Sequence, residues 1–160
     1  MFTVLLVCTG NTCRSPMAEA LLRELVINSQ FEQFIKVHSA GINAIVGPAS
    51  LNAQIVIDRR AEKVVTLKEH VAKQLTKEMV SEADIVLAMT EAHKQHIINF
   101  SPENKEKVYT LFEFAGEKGN KDIPDPYGKS VIVYELCANK MEIPLGKIFI
   151  KLIDLAGKKR

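Results

Sequence analysis

The amino-acid sequence predicts an α/β fold, a single three-layer domain over residues 1–160 with a four-stranded parallel sheet and helices on both faces. Three observations predict this class. Short apolar runs alternate along the chain with longer amphipathic segments, which is typical of strand–helix–strand units. Neither an internal repeat nor a low-complexity linker interrupts the alternation. The 160 residues, of which 47% are hydrophobic and 25% charged, suffice for one domain with a sizeable core.

The predicted strands are four short segments rich in apolar residues. The first, over residues 3–7, is continuously apolar, as expected for a strand buried on both faces. The second covers residues 36–39 and ends at Ala40 and Gly41, and the third covers residues 85–88. The fourth covers residues 107–110. Helical patterns separate these segments, so parallel pairing is the expected arrangement.

Amphipathic patterns predict four helices. The first covers residues 16–28, where Pro16 suits the first helical position and Ser15 is a good N-cap. The next two cover residues 48–60 and 90–100. After a polar loop over residues 116–129, a last helix extends to residue 156, and Pro144 with Gly146 predicts a break or kink in it.

Charge and cysteine content exclude several classes of protein. The net charge of +2 gives no reason to expect a nucleic-acid or membrane surface, and no apolar run reaches the ~18 residues of a membrane-spanning helix. The apolar run at residues 2–7 is too short for a signal peptide. Three cysteines without a CxxC pair predict neither a disulfide framework nor a zinc site. We therefore expect a cytoplasmic protein without a metal or other cofactor.

The segment CTGNTCR, residues 8–14, joins the first strand to the first helix and gives the strongest functional signal. Gly10 and Asn11 are the residue types that most easily take left-handed backbone angles. Such a loop can turn successive N–H groups inward at a helix N-terminus, where anions bind. Arg14 adds a planar guanidinium that matches a phosphate-like oxyanion. The segment therefore predicts a site for a tetrahedral dianion.

Cys8 lies at the start of this segment. Helix N-termini and nearby arginines lower the pKa of a cysteine, so the sequence predicts a lowered pKa for Cys8 and a thiolate beneath the bound phosphoryl group. This arrangement suits in-line attack on phosphorus, which gives a phosphocysteine. The alternative is a packed cysteine in an ordinary strand-to-helix turn, with Arg14 solvated.

The segment CTGNTCRS at residues 8–15 resembles the active-site loop of the low-molecular-weight protein tyrosine phosphatase family. HSAG at residues 38–41, SEADIVLAMT at 81–90 and DIPDPYG at 122–128 extend the resemblance over most of the chain. It implies that Cys8 is the nucleophile, that Arg14 binds phosphate and that the Ser15 hydroxyl hydrogen-bonds the thiolate. It also implies that Asn11 holds the loop in shape, in contact with Ser39. The other implied phosphate-binding residues are Thr9, Gly10, Thr12, Cys13 and, at the edge of the site, Tyr127.

Cleavage of a phosphoester or phosphoramidate also needs a proton donor for the leaving group. Asp125 lies between Pro124 and Pro126, which restrict the backbone of its loop. The local sequence alone predicts a turn containing an aspartate. The family resemblance implies instead that Asp125 is the general acid. Asp122 lacks a following proline and is left outside the predicted catalytic set.

Thr12 and Tyr127 bear on the substrate. Tyrosine-directed members of the family usually carry a larger aliphatic residue at the position of Thr12, and members with threonine there resemble bacterial protein arginine phosphatases. A hydroxyl makes this wall of the pocket smaller and more polar, which penalises an aryl ring. Tyr127 is followed by Gly128, where tyrosine-directed members often have a second aromatic residue. We therefore expect the protein to act on phosphoarginine in proteins, with phosphotyrosine as the alternative. We also expect it to be a monomer.

Two other functions are weighed against phosphatase activity. Arsenate reductases resemble the family in fold and loop, but their thioredoxin-coupled form uses a further cysteine pair. Here residues 70–100 contain no cysteine and Cys137 lies in a late helix, which argues against that reaction. A non-catalytic phosphate-binding module would be expected to lose Cys8 or Asp125, and both are present.

Several other reactive residues are expected to be structural. His93 and His96 lie three apart on a helix, but no further ligands complete a metal site, so a solvated helix face is predicted. His70 lies in a segment that resembles a family pattern, except that Lys73 stands where the family has arginine. Cys13 is either a disulfide partner of Cys8, as the resemblance implies, or a small buried residue. Cys137 is expected only to pack in the core.

Overall fold

The computed structural model describes residues 1–60 and 64–159. Its centre is a parallel sheet with the strand order β2-β1-β3-β4, formed by β1 (Phe2–Cys8), β2 (Ile35–Gly41), β3 (Ile85–Ala88) and β4 (Val108–Thr110). All four predicted strands are confirmed. The chain leaves β1 on one side for β2 and returns on the other side for β3, so the crevice at the carboxyl end of β1 is where ligands bind in such sheets.

Six α-helices cover the sheet in the described part of the chain. A 3₁₀ helix, Pro102–Lys107, precedes β4. Two of the helices, α3 (Lys77–Glu82) and α5 (Leu111–Ala115), are too short for their periodicity to be recognised in the sequence, and they were not predicted. The six helices are α1 (Arg14–Asn28), α2 (Leu51–Arg60), α3 (Lys77–Glu82), α4 (Glu91–Phe100), α5 (Leu111–Ala115) and α6 (Val131–Lys158).

Strand β1 contributes to a hydrophobic core on each face of the sheet. Val4 and Leu6 belong to the larger core, which they share with α1, α2, α5 and α6. Leu5 and Val7 point to the other face and pack with residues of α3 and α4. All four side chains are fully buried, as the continuous apolar run predicted, and the three-layer α/β fold is confirmed.

Two predictions at the ends of helices are wrong. Helix α1 begins at Arg14 and its N-cap position is Cys13, so Ser15 is not the cap but a residue of the first turn. Pro16 is then the third helical residue, where its missing N–H still costs no intrahelical hydrogen bond. Helix α2 begins at Leu51 rather than at Pro48, because the backbone of Pro48 pairs with Val71 in an isolated bridge.

Helix α6 runs for 28 residues and contains Pro144, so the helix is not broken there, and a kink at Pro144 stays a prediction. Met141, Leu145 and Ile148 are fully buried on either side of the proline, in the core shared with α1 and α2. This packing holds the helix together where a proline removes one backbone hydrogen bond, so tertiary contacts override the local preference. Within the described ranges no helix is both long and apolar enough to cross a membrane.

Candidate active site

The loop that follows β1 forms the floor of a cavity of about 340 Å³ at the carboxyl edge of the sheet. The cavity brings together the three predicted catalytic residues, Cys8, Arg14 and Asp125, although Asp125 is more than a hundred positions away in sequence. Two lining residues, Asn43 and Ile45, come from the segment after β2 and were not predicted. The lining residues are Cys8, Thr9, Gly10, Thr12, Cys13, Arg14, Asn43, Ile45, Asp125 and Tyr127.

Cys8 is the last residue of β1, and its sulfur is buried beneath the loop. The Sγ atom lies 2.8 Å from Ser15 Oγ and accepts the backbone N–H of Asn11 at 3.3 Å. The contact between Ser15 and Cys8 that the resemblance implied is therefore present. Because α1 starts two residues earlier than predicted, the Ser15 side chain faces the sulfur instead of capping the helix.

Burial raises the pKa of the Cys8 thiol above its ordinary value, which contradicts the lowered pKa predicted from the sequence. Four contributions act in the opposite direction: the hydroxyl and the N–H of Ser15, the N–H of Asn11 and the charge of Arg14. The sequence argument counted the helix N-terminus and the arginine and left out the cost of desolvating the sulfur. A thiolate at Cys8 therefore depends on these three neighbours.

Arg14 is the first residue of α1, and only 6% of its surface is exposed. Its Nη1 donates to the carbonyl oxygen of Ile123 at 3.0 Å, which ties the guanidinium to the segment before the aspartate loop. Its Nη2 donates to Thr9 Oγ1 at 3.5 Å and lies 3.6 Å from an Asp125 carboxylate oxygen. The predicted alternative, a solvated arginine, is wrong.

Asn11 fixes the shape of the loop from its centre. It has a φ of 56°, in the left-handed region, as predicted. Its Nδ2 donates to Ser15 Oγ and to Ser39 Oγ, both at 2.9 Å, so the expected contact with Ser39 is confirmed. Its Oδ1 accepts the backbone N–H of Lys73 at 3.0 Å, and its carbonyl oxygen accepts from His70 Nε2 at 2.8 Å. His70 is thus structural, as expected, and it supports the loop directly.

Of the two glycines near the loop, Gly10 does not have the predicted left-handed backbone, and Gly41 has a packing role that was not predicted. Gly10 does not take a positive φ, and a Cβ there would meet nothing closer than Thr12 Oγ1 at 3.7 Å. At Gly41 a Cβ would lie 2.5 Å from the carbonyl oxygen of Thr9 and 2.9 Å from the backbone nitrogen of Asn11. Only glycine at position 41 lets the end of β2 approach the loop. The signal for it was a glycine directly at the end of a predicted strand.

Asp125 lies at the edge of the cavity, with 53% of its side chain exposed. Its Oδ1 accepts the N–H of Tyr127 at 3.1 Å, so the predicted turn is present as well. Asp122 instead accepts the N–H of Glu91 at 2.8 Å at the start of α4, a structural role. Cys137 packs beneath this loop and donates to the carbonyl oxygen of Pro124 at 3.7 Å, and burial raises its pKa to about 12.

Cys13 points away from the loop toward α6. Its Sγ lies 3.2 Å from Tyr134 Oη and 3.5 Å from Ser50 Oγ, and both the cysteine and the tyrosine are buried. Burial, followed by the Cys13 contact, raises the pKa of Tyr134 to about 12. The sulfurs of Cys8, Cys13 and Cys137 are free. The Cys8–Cys13 disulfide therefore stays a prediction.

His93 does not lie on a solvated face, contrary to the prediction. It is buried on the inner face of α4, and its Nε2 lies 2.8 Å from Thr9 Oγ1. Burial, and then the charge of Arg14, lowers its pKa to about 4. His96 is exposed on the same helix, as predicted. The spacing of the two histidines could not tell which of them faces the sheet, because the orientation of α4 comes from tertiary packing.

Comparison with known proteins agrees with this geometry. Residues 3–158 match the family described as low molecular weight phosphotyrosine protein phosphatase. A protein-arginine-phosphatase from Geobacillus stearothermophilus is 40% identical over 94% of this chain and 96% of its own length. A protein-arginine-phosphatase from Bacillus subtilis is 39% identical over 87% of this chain and 89% of its own length. A probable low molecular weight protein-tyrosine-phosphatase EpsP from Ralstonia nicotianae is 41% identical, covering 83% of each chain.

Solved structures of arginine phosphatases are similar to this chain in fold. The YwlE arginine phosphatase from Geobacillus stearothermophilus superposes with a TM-score of 0.85 and 37% identity, over 100% of this chain and 98% of its own. A YwlE arginine phosphatase mutant with a phosphorylated active-site serine gives a TM-score of 0.86 and 36% identity, over 94% and 95% of the two chains.

Proposed function

Because the chain belongs to the low molecular weight phosphotyrosine protein phosphatase family, we propose that it hydrolyses phosphoarginine in proteins through a phosphocysteine intermediate. One observation carries the proposal. The Cys8 sulfur lies at the floor of a cavity whose walls include the Arg14 guanidinium, and an Asp125 carboxylate oxygen lies 3.6 Å from that guanidinium. A nucleophile, a phosphate-binding cation and a proton donor thus converge on one space of about 340 Å³.

The first half of the reaction transfers the phosphoryl group to the enzyme. Arg14 and the N–H groups of the loop bind the phosphoryl oxygens, and the Cys8 thiolate attacks phosphorus in line with the leaving group. A sulfur–phosphorus bond forms while the phosphorus–nitrogen bond of phosphoarginine breaks. Asp125, in its protonated form, gives its proton to the departing guanidine nitrogen.

The second half regenerates the enzyme. A water molecule attacks the phosphocysteine, and the Asp125 carboxylate takes a proton from it. The sulfur–phosphorus bond breaks, inorganic phosphate leaves and Cys8 departs as a thiolate. The hydroxyl of Ser15 and the N–H of Asn11 donate hydrogen bonds to the sulfur and so stabilise the negative charge of the thiolate.

The choice of phosphoarginine is supported by the walls of the cavity. Thr12 presents a small polar side chain, and Tyr127 followed by Gly128 leaves one aromatic face at the rim. The half-exposed Asp125 side chain at the edge of the cavity is within reach of a leaving guanidine nitrogen, which it protonates as the phosphoryl group is transferred. Two of the relatives, at 40% and 39% identity, are named protein-arginine-phosphatases.

Phosphotyrosine is the second candidate substrate, since a relative 41% identical to the chain is named a probable protein-tyrosine-phosphatase. The test compares kcat/KM for matched phosphoarginine and phosphotyrosine peptides. We expect the wild type to prefer phosphoarginine, and Thr12→Ile to move the preference toward phosphotyrosine by about tenfold, since one altered pocket contact is worth about 1–3 kcal/mol. A wild-type preference for phosphotyrosine that Thr12→Ile leaves unchanged would contradict the proposal.

We further propose that residues 1–160 act as one phosphatase unit, as a monomer in the cytoplasm, on phosphorylated proteins. Support comes from the composition, which is that of an ordinary globular domain, and from the three free thiols. Free buried thiols persist where the surroundings are reducing. Sedimentation of the purified protein tests the monomer, with a concentration-independent mass near 17.8 kDa expected.

A further inference from the structure

The Thr9 hydroxyl lies in the catalytic loop, residues 9–13 between β1 and α1, but it has no part in the two reaction steps proposed for this protein. Thr9 lines the cavity, next to Cys8 in sequence. Its Oγ1 has two polar neighbours: His93 Nε2 at 2.8 Å and Arg14 Nη2 at 3.5 Å. The hydroxyl therefore lies between the phosphate-binding guanidinium and a histidine that enters from α4.

Of these two neighbours, His93 has one ring nitrogen with a hydrogen-bond partner and one without. The side chain is 5% exposed, and Nδ1 is buried without a hydrogen-bond partner in the described part of the chain. Burial and the nearby Arg14 charge lower its pKa to about 4, so the ring is neutral near pH 7. A neutral imidazole carries one N–H and one lone pair.

The orphaned Nδ1 indicates where the proton of His93 lies. Buried N–H groups without a partner are rarer than buried acceptors without one, so Nδ1 holds the lone pair and Nε2 holds the proton. His93 then donates to Thr9 Oγ1, and Arg14 donates to the same oxygen. A hydroxyl has two acceptor lone pairs and one donor, and both lone pairs are now occupied. The hydroxyl proton is left to point away from both groups, into the cavity that Thr9 lines.

We propose that the Thr9 hydroxyl donates a hydrogen bond to a non-bridging oxygen of the bound phosphoryl group, and that His93 is the positioning residue that orients it. The inference rests on the proposed function and adds a side-chain donor to the loop N–H groups and Arg14. A fixed donor aimed at an oxygen where charge develops stabilises the transition state, because it needs no reorganisation during the reaction.

The first test removes the hydroxyl and keeps the shape of the side chain. Thr9→Val should lower kcat/KM by about tenfold to a hundredfold, with weaker competitive inhibition by inorganic phosphate, since a hydrogen bond to a charged group is lost. Thr9→Ser keeps the donor and should stay within about threefold of the wild type. Full activity and unchanged phosphate inhibition in Thr9→Val would overturn the proposal.

The second test separates positioning from packing at His93. His93→Leu should lower kcat more than it changes KM, and His93→Gln, which retains a side-chain N–H donor, should recover most of the loss. The matched control is His96→Gln, an exposed histidine on the same helix, which should behave like the wild type. Equal losses in His93→Leu and His93→Gln would mean that His93 acts through packing alone.

The third test needs neither a variant nor turnover. Long-range ¹H–¹⁵N NMR of the wild-type protein should show His93 protonated at Nε2 and unprotonated at Nδ1 at pH 7. The opposite tautomer would overturn the inference, because Thr9 would then donate to the histidine.

A separate measurement, the binding of inorganic phosphate to wild type and Thr9→Val, tests the donor without hydrolysis. Absence of wild-type turnover on every phosphorylated peptide would contradict the proposed function, whereas phosphate binding and the His93 tautomer would still test the role of Thr9.

Discussion

Cys8 is surrounded by groups that act on its charge in opposite directions. Burial raises the pKa of the thiol, while Ser15, Asn11 and Arg14 lower it by a smaller amount. The identity of these neighbours could be predicted from the loop sequence and its family resemblance. The depth of the sulfur could not, because it follows from the way α1 covers the end of β1. The net direction of the shift was therefore predicted wrongly, although the lowering of the pKa by Arg14 was expected.

Ser15→Ala tests the contribution of the closest neighbour. The variant removes the hydroxyl 2.8 Å from the sulfur, so the pKa of Cys8 should rise further. The rate of alkylation by iodoacetamide at pH 7 should fall by about tenfold or more, since a hydrogen bond to a charged group contributes about 1.5–3 kcal/mol. The control is Ser130→Ala, because Ser130 makes no side-chain hydrogen bond to α6. Equal alkylation rates in wild type and Ser15→Ala would contradict the prediction.

Asp125→Asn tests the proton donor. The amide keeps the shape of the side chain but cannot protonate the leaving group, so kcat should fall by about a hundredfold to a thousandfold. Inhibition by inorganic phosphate should change little, because the phosphoryl oxygens are bound by Arg14 and the loop. Asp122→Asn serves as control, since an amide oxygen can still accept the N–H of Glu91. Similar losses in both variants would remove the special role of Asp125.

The contact between β2 and the catalytic loop depends on Gly41. A Cβ there would come within 2.5 Å of the Thr9 carbonyl oxygen, and backbone atoms cannot yield as a flexible side chain can. Gly41→Ala should therefore lower the free energy of unfolding by about 1–3 kcal/mol and displace the loop, with loss of most activity. Urea unfolding and steady-state kinetics measure the two effects.

Gly146 in α6 is the matched control for Gly41, because a side chain at this glycine would have free space. A Cβ there meets nothing within 4 Å, and the residue lies inside a helix. Gly146→Ala should raise the free energy of unfolding by about 0.5–1 kcal/mol, because glycine is the poorer helix former. A higher free energy of unfolding for Gly41→Ala, or a lower one for Gly146→Ala, would contradict these two predictions.

Strands were predicted more accurately than helix ends. A strand buried on both faces is continuously apolar, and residues 4–7 and 85–88 carry that signal within themselves. The start of α1 depends on how the loop closes over Cys8, and the continuity of α6 through Pro144 depends on α1 and α2. Neither is encoded locally, so sequence reasoning placed Ser15 at the cap and a break or kink at Pro144.

The site is assembled by the fold from segments far apart in the chain. Cys8 and Arg14 could be paired because one short loop holds both. Gly41 and His93 support that loop from β2 and α4, and only the sheet order brings these elements beside β1. The family resemblance supplied Asp125, which the local sequence would have left as a turn residue. Apart from Ser39, whose contact with Asn11 the resemblance implied, the residues that act on the loop from neighbouring strands and helices thus lay beyond sequence reasoning.

The pH dependence of global stability follows from the burial of histidine. The pKa of His93 is lowered to about 4 in the folded protein, whereas an unfolded histidine titrates near its ordinary value of 6.5. Between these values the unfolded chain binds more protons than the native protein, so acidification favours unfolding. The contribution of His93 is fully present above pH 6.5 and is lost as the pH falls toward 4. One proton limits its slope to about 1.4 kcal/mol per pH unit.

Urea unfolding of wild type and His93→Gln between pH 7.5 and pH 4.5 measures this contribution. The wild type should lose more stability over the range than the variant, because glutamine does not titrate. Carboxylates and His38, whose pKa burial also lowers, remain in both proteins and cancel in the difference. The control His96→Gln removes an exposed histidine and should retain the wild-type slope. Parallel curves for wild type and His93→Gln would mean that His93 titrates alike in the folded and unfolded chains, and its burial against Thr9 would then have no energetic consequence.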